Sequence, residues 1–151
     1  MGTQQILLIV LSVIIVGVAI AVGVTMFSNQ AYNSNQQAVA SDCQSYALSI
    51  LQYFKTPAAQ GGAGRLDLVT LADISTFIGF TNSAGRVNNV SYGIKSDNGE
   101  FRLTGYNGST VQLMGLGKEA QNGLHPLIVT TVTIATNQFS TVVSKATSLD
   151  F

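Results

Sequence analysis

ILLIVLSVIIVGVAIAVGVTMF, residues 6–27, is an almost unbroken apolar run, and the fold turns on how it is read. Its only polar side chains are Ser12 and Thr25, whose hydroxyls can return to the helix backbone. Apolar residues fall on every side of a helix drawn through it, which calls for full burial in lipid or protein. At 1.5 Å per residue the run is about 33 Å long, enough to cross a bilayer core of about 30 Å. No Lys or Arg flanks it, unlike ordinary anchors and secretory signals, and the first charged side chain of the chain is Asp42. An apolar rod without charged flanks suits a helix that begins in a membrane and is later packed among copies of itself. Gly17, Ala19, Ala21 and Gly23 are small and permit close helix approach. Gly17 and Gly23 are also where such a helix stretches most cheaply, since glycine costs about 1 kcal/mol against alanine.

Residues 28–37, SNQAYNSNQQ, are polar but hold no Pro or Gly, so nothing there breaks a helix. From Val39 the pattern becomes amphipathic. Val39, Cys43, Tyr46, Ala47, Ile50, Leu51 and Phe54 recur at three- and four-residue steps, while Ser41, Asp42, Gln44, Ser45, Ser49 and Gln52 lie opposite. One helix is therefore expected from about residue 4 to Lys55, ended by Thr56-Pro57. Its second half needs a partner along the stripe, and Val39, Cys43, Tyr46, Ile50 and Phe54 are its expected core residues.

PAAQGGAG, residues 57–64, reads as a loop. Leu66, Leu68, Val69, Leu71, Ile74, Phe77 and Ile78 suggest a short helix over about 68–79, with Asp67 as N-cap and Gly79 as C-cap. Residues 81–85 are turn-rich. The remainder predicts an antiparallel sheet with strands over 87–96, 100–106, 110–116 and 127–136. Asp97-Asn98-Gly99 and Asn107-Gly108-Ser109 are its hairpin turns, and residues 117–125 form a loop. Residues 139–144 either continue the last strand after a bend or make a fifth. The fold class is thus α+β: a long N-terminal helix, apolar in its first half, with a four-stranded antiparallel sheet packed on its second half. Residues 1–27 are the stem. Residues 28–151 are the head: helix to about 55, loop and short helix over 56–85, sheet over 86–151.

Seven Lys+Arg balance seven Asp+Glu in 151 residues, so no net field attracts nucleic acid or anionic lipid. One Cys and one His leave almost no material for a metal site or a catalytic triad, and no cofactor is expected. No phosphate-cradling glycine loop precedes a helix. His125, beside Pro126, reads as a loop residue, and Cys43, on the apolar stripe, as a core residue. The chain is expected not to be an enzyme. Asn89-Val90-Ser91 and Asn107-Gly108-Ser109 match the N-glycosylation pattern, which arises easily by chance in an Asn- and Ser-rich chain. The five tyrosines show no stripe beyond Tyr46 and Tyr53 and read as packing residues.

This architecture, with QQILLIVLSVIIVGVAIAVGVTMF at residues 4–27, resembles a type IV pilin. The resemblance covers the whole chain in outline and rests on that segment at the residue level. It implies a subunit held in the cytoplasmic membrane before assembly, then polymerised by assembly machinery into an extracellular filament of identical copies. The filament core would be built from Ile6, Leu7, Ile9, Val10, Val13, Ile14, Val16, Gly17, Ile20, Gly23, Val24 and Phe27. The chain departs from the family pattern in three places. The family has an acidic residue at the fifth mature position; counted from Met1 that place holds Gln5, beside Gln4, and counted after Met1-Gly2 it holds Leu7. Gln4 or Gln5 would offer the N-terminal amine only a hydrogen bond. A short basic leader is usual, and here only Met1-Gly2 could precede a cut. Many members carry a kinking Pro in the apolar segment and a C-terminal disulfide; this chain has Val22-Gly23 and the single Cys43. Two other readings fit the same pattern: a pseudopilin of a secretion machine, and a single-pass anchored domain that binds a partner without polymerising.

Overall fold

The computed structural model describes residues 2–64, 69–80 and 92–148. Helix α1 runs unbroken over Gly2–Lys55, 54 residues and about 80 Å at 1.5 Å per residue. The two hydroxyls of the apolar run close onto their own helix as expected: Ser12 donates to the Ile9 carbonyl and Thr25 to that of Val22, both at 2.8 Å. The helix ends at Thr56-Pro57, where Pro57 is extended at ψ 151°. A 3-10 turn, Ala58–Gln60, then folds the chain back, and the Ala63 amide donates to the Tyr53 carbonyl at 3.1 Å.

Helix α2 covers Leu71–Phe77, shorter than the sequence predicts. Its N-cap is Thr70, which forms a reciprocal capping box with Asp73: the Asp73 amide donates to Thr70 Oγ1, and the Thr70 amide and hydroxyl donate to Asp73 Oδ2. The expected cap Asp67, with Leu66 and Leu68, lies outside the described residues. Ile78 takes the C-cap position, and Gly79 follows in the left-handed region at φ 79°, which glycine adopts without a Cβ clash.

The sheet has five strands in the order β1-β2-β3-β4-β5, each antiparallel to its neighbour: β1 Gly93–Lys95, β2 Gly99–Tyr106, β3 Thr110–Gly117, β4 His125–Thr133 and β5 Gln138–Ala146. The expected first strand keeps only its last part among the described residues; positions 87–91, with the Asn89 triplet, fall outside them, as do 81–85. The fifth strand is a strand in its own right. β4 stops at Thr133, and a turn with Asn137 at φ 53° reverses the chain into β5. Asn tolerates that left-handed conformation better than other residues with a Cβ. In the Asn107 turn, Oδ1 accepts from the amides of Ser109 and Thr110 at 3.1 and 2.8 Å, a side chain standing in for the backbone.

The second half of α1 lies across β3 and β4, and α2 lies over β2. β4 alternates: Pro126, Ile128, Thr130 and Val132 are buried. Opposite them Val39, Cys43, Ala47 and Ile50 of α1 are fully buried, with Phe101, Leu103, Val111 and Leu113 completing the core. Small residues set the spacing. A Cβ at Gly115 would stand 2.7 Å from Cys43 Sγ and 2.9 Å from both Phe101 Cε1 and Val39 Cγ1. The helix therefore rests directly on the β3 backbone. Leu116 and Leu127, with Met114, Val129 and Ala146, form a smaller cluster on the other sheet face.

Gly115→Val is expected to destabilise the head by about 1–3 kcal/mol through overpacking. Gly17→Ala, which meets nothing within 4 Å, is expected to leave head melting unchanged. Circular dichroism melting of the full chain in detergent separates the two, and equal melting of Gly115→Val and the parent would refute this close approach.

Candidate functional site

The candidate site is a surface, the bare half of α1. From residue 2 to residue 30 every position is exposed. Ile6, Leu7, Ile9, Val10, Val13, Ile14, Val16, Ile20, Val24 and Phe27 all lie among the exposed large apolar side chains, Phe27 at 76 %. Gly17 and Gly23 have open space where a Cβ would stand. Gln4 and Gln5 sit exposed directly before the run. The segment is long and apolar enough to cross a membrane, and none of it is covered by the other described residues.

The second half of the helix is the reverse case. Of the expected core residues, Val39, Cys43 and Ile50 are wholly buried, while Tyr46 and Phe54 are half-buried at the rim. Tyr46 sets its ring edge-on against Phe80 and Phe101, at 4.9 and 5.2 Å between centroids. Phe54 stacks on Tyr106 at 6.0 Å. Tyr53, which the stripe omits, is buried against Phe77 of α2.

Between bare and covered halves lies a polar clamp that the sequence pattern does not single out. Asn35 Nδ2 donates to the Asn98 carbonyl at 2.8 Å, and Asn35 Oδ1 accepts from the Glu119 amide at 3.2 Å. Asn98 Nδ2 donates to Asp42 Oδ2 at 2.8 Å, and Gln121 Nε2 donates to Asn29 Oδ1. The β1–β2 turn and the β3–β4 loop are thus tied to the helix along residues 29–42. Tyr32 is buried in the same stretch, with the Lys145 ammonium 5.4 Å from its ring centroid. It lies seven residues before Val39, close to two helical turns. That spacing was the available signal that the buried stripe begins earlier than Val39.

Cys43 is a core residue. Its thiol is pushed from 9.0 up to about 12, first by burial and then by the charge of Asp42, with a hydrogen bond to Thr130 acting the other way. A thiol held protonated is a poor nucleophile. Tyr46, Tyr53 and Tyr106 are raised too, each chiefly by burial. His125 opens β4 instead of lying in the loop, and its Nδ1–H donates to the Gly117 carbonyl at 2.9 Å. Among the described residues no three His, Cys, Asp or Glu side chains gather where they could hold a metal ion.

No protein-family model, no curated protein and no solved structure matches this chain.

Two outcomes follow for the head. Because the folded state keeps the Cys43 thiol neutral while the unfolded chain ionises it, stability is complete below about pH 9 and declines as pH rises toward 12. The tyrosines add to that decline only above their ordinary value of 10.0. Cys43→Ala should remove the part that begins near pH 9, read from denaturation midpoints across that range; an unaltered slope would contradict the assignment. The Tyr32 hydroxyl is buried with no hydrogen-bond partner among the described residues. Tyr32→Phe should therefore leave stability unchanged or raise it, and a loss above about 1 kcal/mol in the same melt would point to a partner for that hydroxyl.

Proposed function

We propose that this chain is a structural subunit, similar to type IV pilins, that polymerises through residues 6–27 into a filament on the cell surface. The observation that carries the reading is the bare stem joined without a break to a folded head. Burying one Leu, Ile or Val side chain is worth about 1.5–3 kcal/mol. The chain exposes nine such side chains at the stem positions named above, together with Phe27 and several more. In water that surface has to be covered, and nothing among the described residues covers it.

A bilayer would cover it, and so would a bundle of identical stems. The continuity of α1 favours the bundle as the working state. An anchor needs only a tether between membrane and domain, whereas here the rod passes from stem into head core with no cap, turn or proline. The head is thereby held in one orientation relative to the stem, as a regular polymer requires. The absence of charge before Asp42 supports the same reading, since an unpaired charge inside such a bundle costs several kcal/mol. Leaving lipid gains little hydrophobic energy, because the stem is already out of water. Assembly then draws on stem packing, head contacts and membrane machinery with its own energy source. The partners are other copies of the chain, the cytoplasmic membrane before assembly, and that machinery. The role is structural, with no cofactor.

Cryo-electron microscopy of the sheared surface fraction from expressing cells tests this. Thin filaments whose density fits the chain, with residues 6–27 at the centre, are expected. Val13→Lys should abolish them while the chain is still recovered with membranes and its head melts as before. If the unaltered chain stays with the cytoplasmic membrane and no filament contains it, the anchored partner-binding reading replaces this one.

A further inference from the structure

Exposed large apolar side chains in the head are few among the described residues: Leu48, Phe77, Phe139, Val142 and Val143. Four of the five share one flank. β5 is an edge strand that pairs with β4 over nine residues without a register shift. It has no proline and no bulge, the usual protections of an open edge. Its one charged side chain, Lys145, reaches in over the Tyr32 ring. Phe139 and Val143 stand opposite the buried Val132 and Ile128, so they lie on the helix-facing side of the sheet. Beside them, Leu48, Leu51, Gln52, Lys55 and Asn137 line a groove of about 480 Å³.

The fifth exposed apolar residue, Phe77, lies on the other flank. It touches Tyr53, whose position on α1 is about 140° round the helix from Leu48. Asp73 sits on α2 one turn before Phe77 and lines the same cleft. Its capping bonds all go to Oδ2. Asp73 and Lys55 are both exposed, and neither has an ion-pair partner among the described residues. Leu48 to Lys55 on one flank, and Phe77 against Tyr53 on the other, lie at one level of α1.

We infer that the Leu48–Lys55 groove is a socket for the α2 of a second copy, with Phe77 entering the apolar part and Asp73 meeting Lys55. The inference rests on the filament reading and deepens it. Stems packed parallel put every head the same way up. A β5-to-β5 pairing between copies needs a two-fold axis that would turn one stem against the other, so the contact has to join two different surfaces. Two patches on opposite flanks, at one level, apolar to apolar and cation to anion, meet that requirement. With seven cations balancing seven anions, no net charge opposes the approach.

The test uses the full chain, with a photo-crosslinking amino acid at Leu48 in one variant, at Gln52 in a second and at Val13 in a third. Each is co-expressed with isotope-labelled chain and irradiated as sheared filaments. Leu48 or Gln52 adducts to residues 71–77 of another copy are expected. Stem-to-stem adducts from Val13, with head adducts absent or directed to β5 of another copy, would overturn the socket and leave the filament standing. Absence of filaments, or of any copy-to-copy adduct from Val13, would overturn the filament reading instead, and the socket with it.

Discussion

Residues 6–27 are covered by none of the other described residues, and the rest of the described structure is arranged around that fact. The sheet reaches down α1 only as far as Tyr32, where the buried positions begin. Below that point a helix apolar all round needs neighbours on every side. A membrane would supply them as lipid and the proposed filament as other stems, and both are apolar. Moving between the two would therefore involve no large hydrophobic gain or loss, which would let one segment serve in both places. Packing then decides, and the small residues at 17, 19, 21 and 23 leave room for another helix to come close.

The head meets a different demand. It must grip one face of a helix firmly enough to hold its angle to the stem. The tight seat at Gly115, where Cys43, Val39 and Phe101 converge, does this by contact. The clamp of Asn29, Asn35, Asp42, Asn98 and Gln121 does it by directed hydrogen bonds near the junction. Apolar packing alone permits sliding along a ridge, whereas donors and acceptors fixed to particular side chains set the register. The polar run 28–37 thus has a structural use: its amides hold two sheet turns against the helix.

Much of this was legible in the chain. The stem is read from composition alone, because every position in residues 6–27 but Ser12 and Thr25 is apolar and no phase has to be found. The helix end at Pro57 and the turns at Asn98-Gly99 and Asn107-Gly108 follow from local backbone chemistry. What escaped depends on tertiary partners. Gly115 looks like any strand glycine until Cys43 is placed above it. Thr70 competes with Asp67 as a helix cap, and the reciprocal pair with Asp73 is the signal that favours it. Whether residues 139–144 continue the preceding strand or make a fifth stays open in the sequence because Thr136-Asn137 lacks the glycine that usually marks a hairpin, and Asn137 takes the left-handed conformation instead. Tyr32 and Asn35 were hidden because a stripe of Tyr and Asn does not register as apolar, although both face the sheet side.

The position of the head on its rod bears on how such a chain tells copies of itself from other membrane helices. An apolar stem without charge, whose only two polar side chains within residues 6–27 close onto their own helix, carries little information, and lipid-exposed helices of many proteins would pack against it about as well. In the proposed filament selectivity would then come from the heads, whose unlike flanks would meet in one orientation only. α1 crosses β3 and β4, leaving β5 on one side and α2 over β2 on the other. The two flanks are chemically distinct, one carrying Lys55 and the other Asp73. A head built with like flanks would pair about a two-fold axis and close into a dimer. Unlike flanks joined by a screw do not close, and that asymmetry is what a growing polymer requires.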